Sequence, residues 1–131
     1  RMIRFRMSRI NVNQFALLVD KMPEHMGMDL ELAYLIDEKN KIAACRLSEI
    51  FKDGDEKVMV LEITCEYEVH PEDWNSMTKD GHTNLTREAM EIFAAQAVGT
   101  SRGVLFCKTE GTCMNGICLP PVNVREILEG K

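Results

Sequence analysis

Residues 57–69 read KVMVLEITCEYEV. Successive side chains of an extended strand point to opposite faces. Met59, Leu61, Ile63, Cys65, Tyr67 and Val69 therefore share one side, and Glu62, Thr64, Glu66 and Glu68 share the other, after Val58 and Val60. This sustained period of two predicts a long strand with one face on a core and the other on water or a partner.

Working outward, KDGDE (residues 52–56) places Asp53-Gly54 just before that strand, a strong hairpin signal. The preceding stretch, IAACRLSEIF (42–51), reads as its hairpin partner. EKNK (38–41) reads as a second tight turn, with Asn40 suited to a positive φ. Before it, MDLELAYLID (28–37) alternates again, with Met28, Leu30, Leu32, Tyr34 and Ile36 on one face. At the start of the chain Ile3, Phe5 and Met7 alternate with Arg4, Arg6 and Ser8. A break near residues 11–13 reads as a bulge or bend, and 15–19 resumes an extended apolar run. No crossover helix has room between these segments, so the expected sheet is an antiparallel meander with at least one exposed face. HPEDWNSMTKDGH (70–82) breaks the pattern and reads as a loop around the single Trp.

Helical periodicity follows. Asn84 or Thr86 can cap a helix over residues 87–106, with Met90, Phe93, Ala97 and Val104 on one face. Ala89, Ile92, Gln96, Gly99 and Gly103 mark a neighbouring face. Each interior Gly costs about 1 kcal/mol relative to Ala, so the two glycines signal either a kink or the close approach of another backbone. Residues 109–116 read as a loop and 124–128 as a short helix after Asn123. An amphipathic sheet needs a cover in water. The expected architecture is therefore α+β: an antiparallel meander packed against a long C-terminal helix, in one domain spanning residues 1–131.

Composition narrows the function. With 45% apolar and 28% charged residues the balance is that of an ordinary soluble domain. A net charge of −5 disfavours a general nucleic-acid binder, and the basic run RMIRFRMSR (1–9) reads as a solvated strand face. No secretory or membrane-spanning stretch stands out, so membrane insertion is not expected and the cytoplasm is the default location. Because residue 1 is Arg, further residues are expected upstream. Cys45 and Cys65 fall inside strand patterns and read as buried. Cys107, Cys113 and Cys118 are separated by five and four residues, which is not zinc-knuckle spacing; a Cys113–Cys118 disulfide is the alternative to plain thiols. His25, His70 and His82 lie in loop-like sequence, and no nucleophile-base motif appears. Neither a catalytic residue nor a metal or cofactor is expected.

The tail, LPPVNVREIL (119–128), resembles the C-terminal signature of the SecB-like export chaperones. There a long helix ends at Gly, a Pro-rich loop follows, and a Leu-x-Pro-Val-Asn-aromatic segment closes the domain. The matching residues are Arg87 and Glu88 at the helix start, Gly103 at the expected bend, and Leu119, Pro121, Val122, Asn123 and Leu128. Val124 stands where the family has an aromatic, and TEGTCMNGICLP (109–120) is longer and Cys-bearing. The acidic tail through which SecB itself contacts the SecA translocation ATPase is not among these residues.

The resemblance implies an ATP-independent chaperone that holds non-native or pre-secretory polypeptide in apolar grooves. It implies a homodimer or homotetramer, and a translocation ATPase or a toxin–antitoxin pair as further partner. Nine Met suit an adaptable binding surface. The expected polypeptide-binding residues are Ile3, Phe5, Met7, Phe15, Leu17, Leu32, Tyr34, Leu119, Pro121 and Val122, with Ile92, Gly99 and Gly103 for helix or subunit packing. A dedicated binding module for one partner, such as a toxin–antitoxin-associated chaperone, is the second reading. A small enzyme or ligand-binding domain near His70, His82 and Trp74 is the third.

Overall fold

The structure, a computed structural model, describes residues 2–117, 119 and 122–129. Four strands, β1 (Phe5–Leu17), β2 (Gly27–Asp37), β3 (Ile42–Asp53) and β4 (Glu56–Val69), form one antiparallel sheet. After them come α1 (Pro71–Ser76), the two-residue strands β5 (Thr78–Lys79) and β6 (His82–Thr83), α2 (Arg87–Lys108) and α3 (Val124–Glu129).

The α+β class holds, with two corrections. The sheet order is β1-β4-β3-β2. Strands β2 to β4 do form a meander, but β1 returns to the far side of β4, giving the Greek-key order read from its other end. Side-chain periodicity carries no information about which strand lies next door. The second correction concerns the long helix. It is α2, and it is followed by a turn-rich segment and α3, so it is not C-terminal.

The turns behave largely as their residues dictate. Gly54 takes φ +63° between β3 and β4. Between β2 and β3 the positive φ (+54°) falls on Lys41, not Asn40. Asn40 instead donates its backbone N–H and its Nδ2 to the Asp37 carboxylate at 3.2 and 2.9 Å. Those donors hold the Asp37 carboxyl below its ordinary value.

Residues 70–82 are more ordered than a loop. Pro71 opens α1, and His70 Nδ1 accepts the Glu72 N–H at 3.2 Å. Trp74 is buried, and β5 and β6 form a small hairpin beyond it. Asp73 ties this insertion to β1, accepting from the Arg4 backbone N–H at 2.8 Å and from Arg4 Nε at 3.1 Å.

Helix α2 starts at Thr86, whose Oγ1 accepts the Ala89 N–H at 3.1 Å. It runs unbroken through Gly99 and Gly103, so neither glycine ends it. Its buried face is Ala89, Phe93, Ala94, Ala97, Val98, Ser101 and Leu105. It ends at Thr109, whose Oγ1 donates to the Leu105 carbonyl at 2.7 Å and accepts from Asn115 Nδ2 at 3.1 Å. The core lies between this helix and the face of the sheet that carries Met59, Leu61, Ile63, Cys65, Tyr67 and Val69, all buried.

Candidate functional site

The two faces of the sheet are chemically distinct. On the face away from α2, Arg6 pairs with Glu68 at 2.9 Å and Lys52 with Asp29 at 2.7 Å. Ser48 donates to Glu62 at 2.8 Å and Thr64 to Asn13 at 2.6 Å. This face is largely polar, as the glutamate stripe of residues 62–68 predicts, although Leu35 is exposed on it beside Ala44 and Glu66.

On the α2 face, the strand β1 keeps its apolar residues aligned by a device that its sequence only half reveals. The register with β4 shifts between Met7 and Arg9 and again between Val12 and Gln14. Each shift is a one-residue bulge, which flips the side-chain phase. Met7 faces Tyr67, then Ile10 faces Cys65 and Val12 faces Ile63, then Phe15 faces Leu61 and Leu17 faces Met59. Odd, even and odd positions thus share one face. Only the second shift, at residues 12–14, coincides with the expected break.

Most of the anticipated binding residues pack against the protein's own core. Ile3, Phe5, Met7, Phe15, Leu17, Tyr34, Ile92 and Val122 are half-buried against it, and Leu32 and Leu119 are buried. Phe5 meets the rings of Tyr67 and Phe93 edge-on at 5.6 and 5.1 Å, and those two rings stack at 4.4 Å. Tyr67 donates to the Phe93 carbonyl at 2.9 Å and Tyr34 to the Met90 carbonyl at 2.6 Å, fastening α2 to the sheet. Burial pushes both phenols well above the ordinary tyrosine range, so they stay protonated donors. Burial likewise raises the Cys65 thiol. Pro121 lies outside the described residues, as do Pro120 and Cys118. Of the five methionines before residue 30, Met2 and Met22 are exposed, while Met7, Met26 and Met28 pack on the core.

The most exposed apolar side chains are others. Ile10 is 48% and Val12 41% exposed on β1, and Phe106 is 60% exposed on α2. Leu18, Met22, Leu35 and Ile36 are also exposed. Ile10 and Val12 belong to the α2 side of the sheet, on its edge strand. The signal for them was present: they alternate two apart, one step out of phase with Phe5 and Met7, which is the mark of a bulge. Ile92, expected for packing, and Val122, expected for polypeptide binding, do come together. With Glu88, Glu91, Ala95, Asn123, Val124 and Arg125 they line an open groove of about 650 Å³ where the tail crosses α2. Arg125 closes one side of it on Glu91 at 2.9 Å.

Trp74 is buried, while His70 is half-buried and His82 exposed. Among the described residues no group of three or more His, Cys, Asp or Glu could hold a metal ion. Among them, too, no helix is long and apolar enough to cross a membrane.

No family model matches the sequence, and neither does any curated protein sequence. The fold is similar to that of a SecB-like chaperone from Mycobacterium tuberculosis, solved in complex with a ChAD peptide from the HigA1 antitoxin. The match has a TM-score of 0.58 at 14% identity and covers 92% of this chain and 91% of that one. The likeness is one of fold. A protein of unknown function from Streptococcus agalactiae also matches, at 13% identity and a TM-score of 0.46, over 92% of this chain and 100% of that one.

Proposed function

We propose that this protein is a SecB-like protein-binding chaperone that holds an extended apolar segment of a dedicated polypeptide partner, without ATP and without covalent chemistry. The observation that carries this reading is the fold likeness along nine-tenths of both chains to a chaperone whose solved complex contains an antitoxin peptide. That likeness favours a toxin–antitoxin-type partner over a general pre-secretory clientele. The second support is the accessible apolar strip at the β1 edge, Ile10 and Val12, continuous with the half-buried Phe5, Met7, Phe15 and Leu17. An apolar side chain entering it gains about 25 cal/mol per Å² removed from water, from which the cost of ordering the guest is subtracted. The net charge of −5 favours neutral or basic segments.

We also propose that the outer face of α2 meets a second copy. A Cβ added at Gly99 or Gly103 would have nothing within 4 Å, so the single chain needs neither glycine for packing. Both nonetheless sit mid-helix, where each costs about 1 kcal/mol against Ala. A backbone approaching from outside would account for them, beside Ile92 and Phe106.

The test is suppression of aggregation of a chemically unfolded model protein without ATP, with particle mass measured in the same buffer. Suppression by the wild type, lost in Ile10→Glu/Val12→Glu at unchanged melting temperature, is the expected result. A well-folded wild type that suppresses nothing and binds no antitoxin-derived peptide would contradict the reading.

A further inference from the structure

Glu49 lies on β3 with its side chain in the interface between the sheet and α2, 1% exposed. Its cross-strand neighbours on that face are Leu30 of β2 and Leu61 of β4, both apolar. Its polar neighbour is Ser101 of α2, itself fully buried, with Oγ 2.8 Å from Glu49 Oε2. The same Oγ lies 2.7 Å from the carbonyl oxygen of Val98. Glu49 Oε1 has no hydrogen-bond partner among the described residues.

We propose that Glu49 is a neutral carboxylic acid in the folded protein and that its proton couples the seating of α2 on the sheet to pH. The argument is an inventory of hydrogens. Ser101 has one hydroxyl hydrogen, and a carbonyl can only accept. If that hydrogen goes to Val98, the approach of Glu49 Oε2 to Ser101 Oγ is attractive only when the carboxyl supplies the hydrogen. Glu49 O–H then donates to Ser101, and Ser101 O–H donates to Val98, a two-bond chain running from β3 into the backbone of α2. A carboxylate in the same place would carry a buried charge with one oxygen wholly unpaired, among the costliest arrangements in a core.

Charges around the site do not remove that cost. Arg102, the next residue on α2, favours the ionised form, but its own side chain is solvent-exposed. The charged residues of the adjoining strands, Asp29 and Glu31 on β2 and Glu62 on β4, alternate onto the opposite face of the sheet. Burial is the largest influence and pushes the Glu49 carboxyl up, against the smaller opposing effects of Ser101 and Arg102. The sign follows. A carboxyl raised in the folded state stabilises fully below the ordinary glutamate range, and that contribution is lost as pH rises through the raised folded value. The α2 junction is therefore tightest in acid and loosens toward the alkaline side.

The experiment is a carbon-13 titration of the assigned glutamate carboxyls in the full chain, with hydrogen exchange of the α2 amides followed over the same pH range. The expected result is one carboxyl, Glu49, with a midpoint above those of the exposed glutamates. Protection factors across residues 98–105 should fall through that midpoint in the wild type and stay level in Glu49→Gln, whose amide N–H₂ replaces the carboxyl O–H as donor to Ser101. A Glu49 carboxyl that titrates with the exposed ones overturns the proposal. So does a Glu49→Gln variant that loses protection with pH as the wild type does. If Glu49→Gln does not fold, the wild-type titration decides alone.

Discussion

Ile63 and Val12 face one another across the β4–β1 ladder, on the same side of one sheet. Ile63 is 0% exposed and Val12 41%. The next pair along, Cys65 and Ile10, repeats the contrast at 0% and 48%. Hydrophobicity does not distinguish the members of each pair; position does. The central strands β3 and β4 carry the buried rows against α2, while β1 is the sheet edge. Apolar residues central in the sheet become core, and the same residue types one strand further out remain partly in water. A groove for polypeptide can arise in this way from an ordinary amphipathic sheet whose cover is narrower than its apolar face.

The contrast can be broken most forcefully from the buried side. Phe93, fully buried and stacked on Tyr67, is where α2 grips the sheet. Phe93→Ala should cost about 3–5 kcal/mol in denaturant unfolding and loosen the helix that defines the strip. Val12→Ala should cost under about 1 kcal/mol, because the residue already meets water. Similar losses at the two positions would mean that β1 is covered as fully as β4.

Smaller changes sharpen the picture. Thr86→Ala removes the cap of α2 and should cost about 1 kcal/mol with the fold intact. Gly99→Ala should raise the stability of the isolated chain by up to about 1 kcal/mol. The same change should weaken self-association in sedimentation velocity, a pairing of effects that a purely internal role for Gly99 would not produce. The least effect belongs to exposed groups. Asn40→Ala removes the Nδ2 donor and leaves the backbone N–H on the Asp37 carboxyl, so that carboxyl's contribution, present above the ordinary aspartate range and lost as pH falls through the lowered folded value, should shrink on the acid limb. An unchanged acid limb would show that the pair contributes nothing.

What the sequence discloses follows from how local each signal is. The strand over residues 57–69, the Asp53-Gly54 turn, the start of α2 after Thr86 and the final short helix rest on neighbouring residues alone, and all are present. The neighbour of β1 is a long-range fact with no local trace. The first bulge, at residues 7–9, has no Gly or Pro to mark it, and its only trace in the sequence is the change of phase from Met7 to Ile10. The buried side of α2 was obscured because two of its members, Ala94 and Ser101, are small or polar. Ser101 is buried through its contacts with Val98 and Glu49, which a hydrophobic pattern does not encode. The segment 70–82 looked like a loop because Pro71 punctuates it; the same proline, capped by His70, starts α1.

The claim on which the functional reading stands is that the guest lies along the α2 side of β1 and not on the polar face. A photo-reactive amino acid placed at Val12, and separately at Ser48 on the opposite face, tests it directly in the presence of an unfolded model polypeptide. Cross-linking from position 12 with none from position 48 is the predicted result. Cross-linking from position 48 that equals or exceeds that from position 12 would contradict the account.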